Sequence, residues 1–177
     1  MKKVMLLTIF AALMMISSAA VAQTTASGTL TVTATVNGSI NLVFNSDAAG
    51  LALSAGAGTN AATLAFGNVS AFGAISAGIV RTTTATTFTV SSAVDVLVTK
   101  TNSASANYTL KAQLGSADAV NTWTVGGVAV TNAAQSTLTA TGTYAANSNF
   151  PVAITVPFTT ASGTLISNTI NYVATAN

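Results

Sequence analysis

Apolar and polar residues alternate from Thr29 to Leu42, and Phe44 keeps the phase beyond Val43. Leu30, Val32, Ala34, Val36, Gly38, Ile40, Leu42 and Phe44 hold the even positions, while threonine, asparagine and serine fill Thr29 to Asn41 on the odd ones. A period of two describes a β-strand with one apolar and one wet face. Asn37-Gly38 has the composition of a two-residue hairpin turn. A turn there would set Ser39 opposite Val36 and send Ile40, Leu42 and Phe44 to the face away from Leu30 and Val32. The pattern therefore predicts one long strand, or two collinear strands joined at Gly38. Such a strand either closes its own sheet or completes that of another molecule.

The remaining pattern is also of strands. Residues 45–60 are rich in Gly, Ala, Ser and Asn and read as a flexible connection. Thr63–Phe66 is a short strand stopped by Gly67. Thr86, Phe88 and Val90 alternate with threonines, and Val94, Val96 and Val98 continue the phase beyond a bend or bulge at Ser91-Ser92. Tyr108, Leu110, Ala112 and Leu114 form another alternating set. Trp123–Val130 is a hairpin about Gly126-Gly127, with Trp123, Val125, Val128 and Val130 on one face. Thr137–Tyr144 follows, then Phe150, Val152, Ile154, Val156 and Phe158, and a last strand with Ile166, Ile170, Tyr172 and Ala174. No helical period survives beyond residue 22. Short strands and loops in this order predict an all-β, antiparallel sandwich. Pro151 and Pro157 remove backbone donors from one side of the 150–158 strand, which predicts an edge where a guest strand can dock.

Lys2 and Lys3, the apolar run Val4–Ile16 and Ala20-Val21-Ala22 have the layout of a signal peptide over residues 1–22. Residues 23–177 then form a single domain, and the chain is secreted. Two of the five cations leave with the signal. Arg81, Lys100 and Lys111 remain against Asp47, Asp95 and Asp118, so the mature charge is zero. No basic patch exists for nucleic acid. So few charges offer little resistance to self-association. Histidine, cysteine and glutamate are absent, which removes the usual nucleophile pairs and the thiolate and imidazole metal sites. The three aspartates are far apart in sequence and lack calcium-loop spacing. The expectation is no enzyme, no catalytic residue, no cofactor, no metal and no small-molecule substrate.

Three segments together resemble the subunits of archaic chaperone–usher pili and the related spore-coat-protein-U-like secreted domains. They are Gly28–Val36 as an N-terminal extension, Thr63-Leu-Ala-Phe-Gly67 as an early strand, and Gly163–Tyr172 as a terminal strand. The family's usual disulfide has only serines at the matching places here, Ser39 and Ser91-Ser92. Leu165 and Asn168 stand where the terminal motif commonly has an aromatic residue and an aspartate. The resemblance implies an incomplete immunoglobulin-like β-sandwich, completed by the N-terminal strand of a neighbouring subunit. The expected function is a structural subunit of an extracellular bacterial filament, a pilus or fimbria serving adhesion or biofilm. The donor strand would span about 25–36 and present Leu30, Val32, Ala34 and Val36. Phe150, Val152, Ile154, Val156, Phe158, Ile166, Ile170 and Tyr172 are the expected acceptor residues. The implied partners are copies of the same chain, a periplasmic chaperone and an outer-membrane usher. The alternative is a self-contained secreted sandwich, a surface or carbohydrate-binding module whose N-terminal strand pairs within its own sheet.

Overall fold

The computed structural model describes residues 29–177. The signal segment 1–22 and the start of the donor strand at 25–28 lie outside the described residues. Val36–Asn177 form one compact unit, built from antiparallel strands and loops with no helix among the described residues. The strands are β1 (Ser39–Ser46), β2 (Val80–Thr83), β3 (Thr87–Ser92), β4 (Val94–Thr101), β5 (Tyr108–Leu114), β6 (Thr122–Val125), β7 (Val128–Val130), β8 (Ser136–Gly142), β9 (Asn147–Asn149), β10 (Val152–Pro157) and β11 (Ile170–Ala176).

Three sheets have the orders β1-β4-β9, β2-β3-β10-β6-β7 and β11-β5-β8. The first two share a continuous ladder. Asp95 lies opposite Asn149 and Ser92 opposite Val152. Between them, Phe150 N–H donates to Val94 C=O at 2.8 Å. The register never slips, so β3–β4 and β9–β10 are two long paired strands, each bent where the chain passes Ala93 or Phe150-Pro151. The predicted break at Ser91-Ser92 is this bend, one residue on. Because β9 and β10 occupy one side of the long strand, β1 and β2 must share the other. They run in the same direction, separated by the excursion 47–79.

The core lies where the even-numbered side chains of β3, β4, β5 and β10 meet each other and Trp123 and Val125 of β6. Val96 and Val98 of β4 pack with Tyr108 and Leu110 of β5, all fully buried. Val90, Val152, Ile154, Val156, Trp123 and Val125 form a second cluster with Ala112 and Leu114 of β5. Full burial of each large apolar side chain contributes about 1.5–3 kcal/mol. The arrangement is consistent with a β-sandwich. The Gly126-Gly127 turn has φ of 58° and 79°, as a two-residue hairpin connection requires. It sets Trp123 opposite Val130 and Val125 opposite Val128.

Several expectations from the pattern are corrected. No hairpin forms at Asn37-Gly38, but only the second half of the alternating run is a strand, since β1 begins at Ser39. Gly38 is small for a local reason: a Cβ there would lie 2.6 Å from the Asn102 carbonyl oxygen. Thr63–Phe66 keeps its alternating burial but forms only a single bridge, Ala55 to Thr63. The last strand begins at Ile170, so Gly163–Thr169 is loop. The 150–158 segment is no edge: β10 pairs with β3 on one side and β6 on the other. The prolines flank the short side. Gly126 N–H donates to Pro151 C=O at 2.8 Å, so odd residues face β6. That ladder covers only Val152–Thr155, stopping before Pro157. β2 and β9, with the polar sequences Val-Arg-Thr-Thr and Asn-Ser-Asn, carry no alternation that could announce them. Ser39 and Ser92 lie at opposite ends of the β1–β4 pairing, far beyond the ~7 Å Cα separation that a disulfide spans.

Candidate functional site

Two strand edges stand open near each other. On β1, Phe44 N–H donates to Thr59 C=O at 2.9 Å and Phe44 C=O accepts from Gly58 N–H at 2.7 Å. Backbone groups alternate in direction along a strand, so the even residues of β1 face away from β4. Ile40 and Leu42 share that direction and make no backbone hydrogen bond on that side among the described residues. On β11, Thr169 C=O accepts from Gly115 N–H of the β5 side and Asn177 N–H donates to Asn107 C=O. Odd residues therefore face β5, and Ile170, Tyr172 and Ala174 direct their N–H and C=O groups to an unpaired edge. β1 and β11 belong to different sheets and do not pair. Their side chains nonetheless meet, with the Phe44 and Tyr172 rings edge-to-face at 5.0 Å. Burial raises the Tyr172 hydroxyl above the usual phenol range, so this tyrosine is a neutral wall residue at any physiological pH.

Below these edges runs a groove of about 1760 Å³. It exceeds the ~300–1,000 Å³ of ordinary small-molecule pockets and suits a segment of polypeptide. Its floor is the inner face of the long sheet, including Phe88, Val90, Trp123, Val152, Ile154 and Val156. Its rims are Ile40 and Leu42 of β1, Ile170 and Tyr172 of β11, and the irregular stretches 60–70 and 160–169. Of the expected acceptor residues, Val152, Ile154, Val156, Ile166, Ile170 and Tyr172 line it. Phe150 packs into both core clusters instead. Phe158 lies outside the groove, against Phe88 and Phe72 with ring centroids 6.3 and 6.0 Å away. The roles of Ile40, Leu42, Phe88 and Trp123 escaped the sequence reading, because alternation gives a residue's face and not its neighbours.

Residues 29–38 form no strand. Leu30, Val32 and Val36 are 88%, 80% and 74% exposed, and Ala34 is exposed as well. Scattered exposed apolar residues are ordinary, but here they recur at every second position of a strand-like sequence without a sheet.

The other chemical candidates resolve into structural roles. Asp47 and Asp95, remote in sequence, meet through Asn149, whose Nδ2 donates to Asp47 Oδ2 at 2.7 Å and to Asp95 Oδ1 at 3.3 Å. Asn147 Nδ2 donates to the other Asp95 oxygen at 3.2 Å. No group of three metal-ligating side chains occurs among the described residues. Asp118 accepts from the backbone N–H groups of Val120 and Asn121, from Asn121 Nδ2 and from Trp123 Nε1 at 2.8 Å. Desolvation, the largest single influence, raises its pKa, yet these donors together hold it down at about 2. Trp123 is 6% exposed, so its ring serves the core and offers no face to a sugar. Lys100 reaches the Ser105 carbonyl oxygen and lies over the Tyr144 ring at 5.0 Å. Comparison with family models, with curated proteins and with solved structures returns no match.

Proposed function

We propose that this chain is the structural subunit of an extracellular bacterial filament, polymerised by donor-strand complementation. Leu30, Val32, Ala34 and Val36 of one copy enter the groove of the next, between β1 and β11, and complete an immunoglobulin-like sandwich. The observation that carries this reading is a pair of opposites in one chain. Among the described residues no strand fills a groove with two unpaired edges, and the amphipathic sequence of 29–38 forms no strand. Backbone pairing to Ile40 and Leu42 on one side, and to Ile170, Tyr172 and Ala174 on the other, would supply generic affinity. Alternate apolar side chains reaching the floor would set register, since a slip of one residue turns every one of them outward. Export through a periplasmic chaperone and an outer-membrane usher, and a place on the cell surface in adhesion or biofilm, belong to the same proposal.

Negative-stain electron microscopy of the secreted protein tests it. Filaments are expected from the wild type, and none from a chain lacking residues 23–36. A wild type that remains a folded monomer at every concentration would leave the self-contained surface module as the better reading.

A further inference from the structure

The floor of the groove is buried although no strand among the described residues covers it. Val90, Ile154, Val156 and Trp123 are 1%, 7%, 3% and 6% exposed. Part of what shields them is the excursion between β1 and β2, whose Leu53, Leu64, Phe66 and Val69 pack on that cluster. The two ends of the excursion touch. A Cβ on Gly78 would lie 2.5 Å from the Gly50 carbonyl oxygen, and Gly78 has φ of +82°. Leu51 N–H is tied to the buried Ser92 hydroxyl at 2.7 Å. At the far end, the Arg81 guanidinium donates to Ser70 C=O at 2.8 Å and Gly73 C=O at 2.7 Å.

Residues 51–63 are also tied to β1, with Leu53 N–H donating to Ser46 Oγ at 2.9 Å and Phe44 pairing with Gly58 and Thr59, whereas beyond them the hold is largely apolar. From Leu64 to Ser76 the only backbone–backbone hydrogen bond among the described residues is Ile79 N–H to Ser76 C=O. Segments held by side chains without a ladder are those that open first. A donor strand would need the same apolar floor.

We infer that residues 64–76 are a resident cover of the assembly groove, strung between the stretch bridged to β1 and Gly78, and that a donor strand displaces their apolar contacts on entry. The cover shields the floor of a free subunit and so limits unscheduled self-association. This rests on the donor-strand reading and adds a competitor to it. A groove open only part of the time binds with its affinity reduced by the open fraction.

The test uses the full mature chain below its assembly concentration, with a synthetic peptide spanning Ala26–Val36. Phe66→Ser weakens the cover's grip, and Arg81→Gln frees its far end while leaving the floor intact. Both are expected to capture the peptide faster than wild type, by about tenfold for Phe66→Ser. In hydrogen-exchange mass spectrometry, amides of 64–76 are expected to exchange faster once peptide is bound. Slower or weaker capture by both variants, with exchange in 64–76 unchanged, would make the excursion a fixed wall and overturn the cover while sparing the donor reading. Absence of peptide binding to wild type and variants alike removes the donor reading, and the cover's role in assembly with it.

Discussion

Val32→Asp separates a donor strand from a strand of the protein's own sheet. Val32 is 80% exposed in the subunit, so the substitution removes little from the folded monomer, within the ~0.5 kcal/mol usual for surface changes. In an occupied groove the same side chain would be buried. Losing four-fifths of a valine's burial costs about 1.2–2.4 kcal/mol there, and a carboxylate without a partner adds a further ~1–3 kcal/mol or more. The total, about 2.2–5.4 kcal/mol, weakens each contact by about fortyfold or more at ~1.4 kcal/mol per decade. Thr33→Asp, one residue away on the wet phase, is expected to assemble nearly as wild type. Size-exclusion chromatography reads assembly and circular dichroism reads folding. A folded, monomeric Val32→Asp beside a polymeric Thr33→Asp is the expected result. Loss of the β-sheet signal in Val32→Asp would refute the reasoning, because it would mean that the strand stabilises its own domain.

Acid provides an independent check on Asp118. Its folded pKa is depressed to about 2 from 3.8, so its contribution is fully present above about pH 4 and fades as pH falls through about 2. Thermal unfolding followed by the fluorescence of Trp123 should lose this part of its acid dependence in Asp118→Ala, which also costs about 1–3 kcal/mol by leaving the buried Trp123 Nε1 without its acceptor. Leu110→Ala, at a fully buried position, should cost about 2–5 kcal/mol in urea unfolding. Val173→Ala, at a side chain 41% exposed, should stay within about 0.5 kcal/mol. Hydrolase and transferase screens should detect no turnover, and activity abolished by Asp47→Asn or Asp95→Asn would defeat the structural-protein reading.

What the sequence determined is phase. The even-numbered apolar residues of 88–98, 108–114 and 152–156, and Trp123, Val125 and Val130 of the hairpin, turn to the core because side chains alternate along any strand, whatever its partner. The same alternation gives Leu30, Val32 and Val36 one common phase, and the Gly126-Gly127 hairpin follows from two residues that tolerate positive φ. Pairing was beyond its reach. Proline shows only that a donor is missing, so Pro151 and Pro157 pointed to an edge, whereas β6 pairs with the four residues between them and places β10 in the middle of its sheet. Thr63–Phe66 and Gly163–Thr169 have strand-like alternation but pair only at single residues, Thr63 with Ala55 and Thr169 with Gly115, a matter of which strands lie beside them. Asp47 and Asp95, 48 positions apart in sequence, meet only because β1 and β9 flank β4. The groove is tertiary for the same reason: its edges belong to β1 and β11, near the two ends of the chain, and hydrogen-bond direction at Ile40 and Tyr172 acquires meaning only when folding sets them on facing rims.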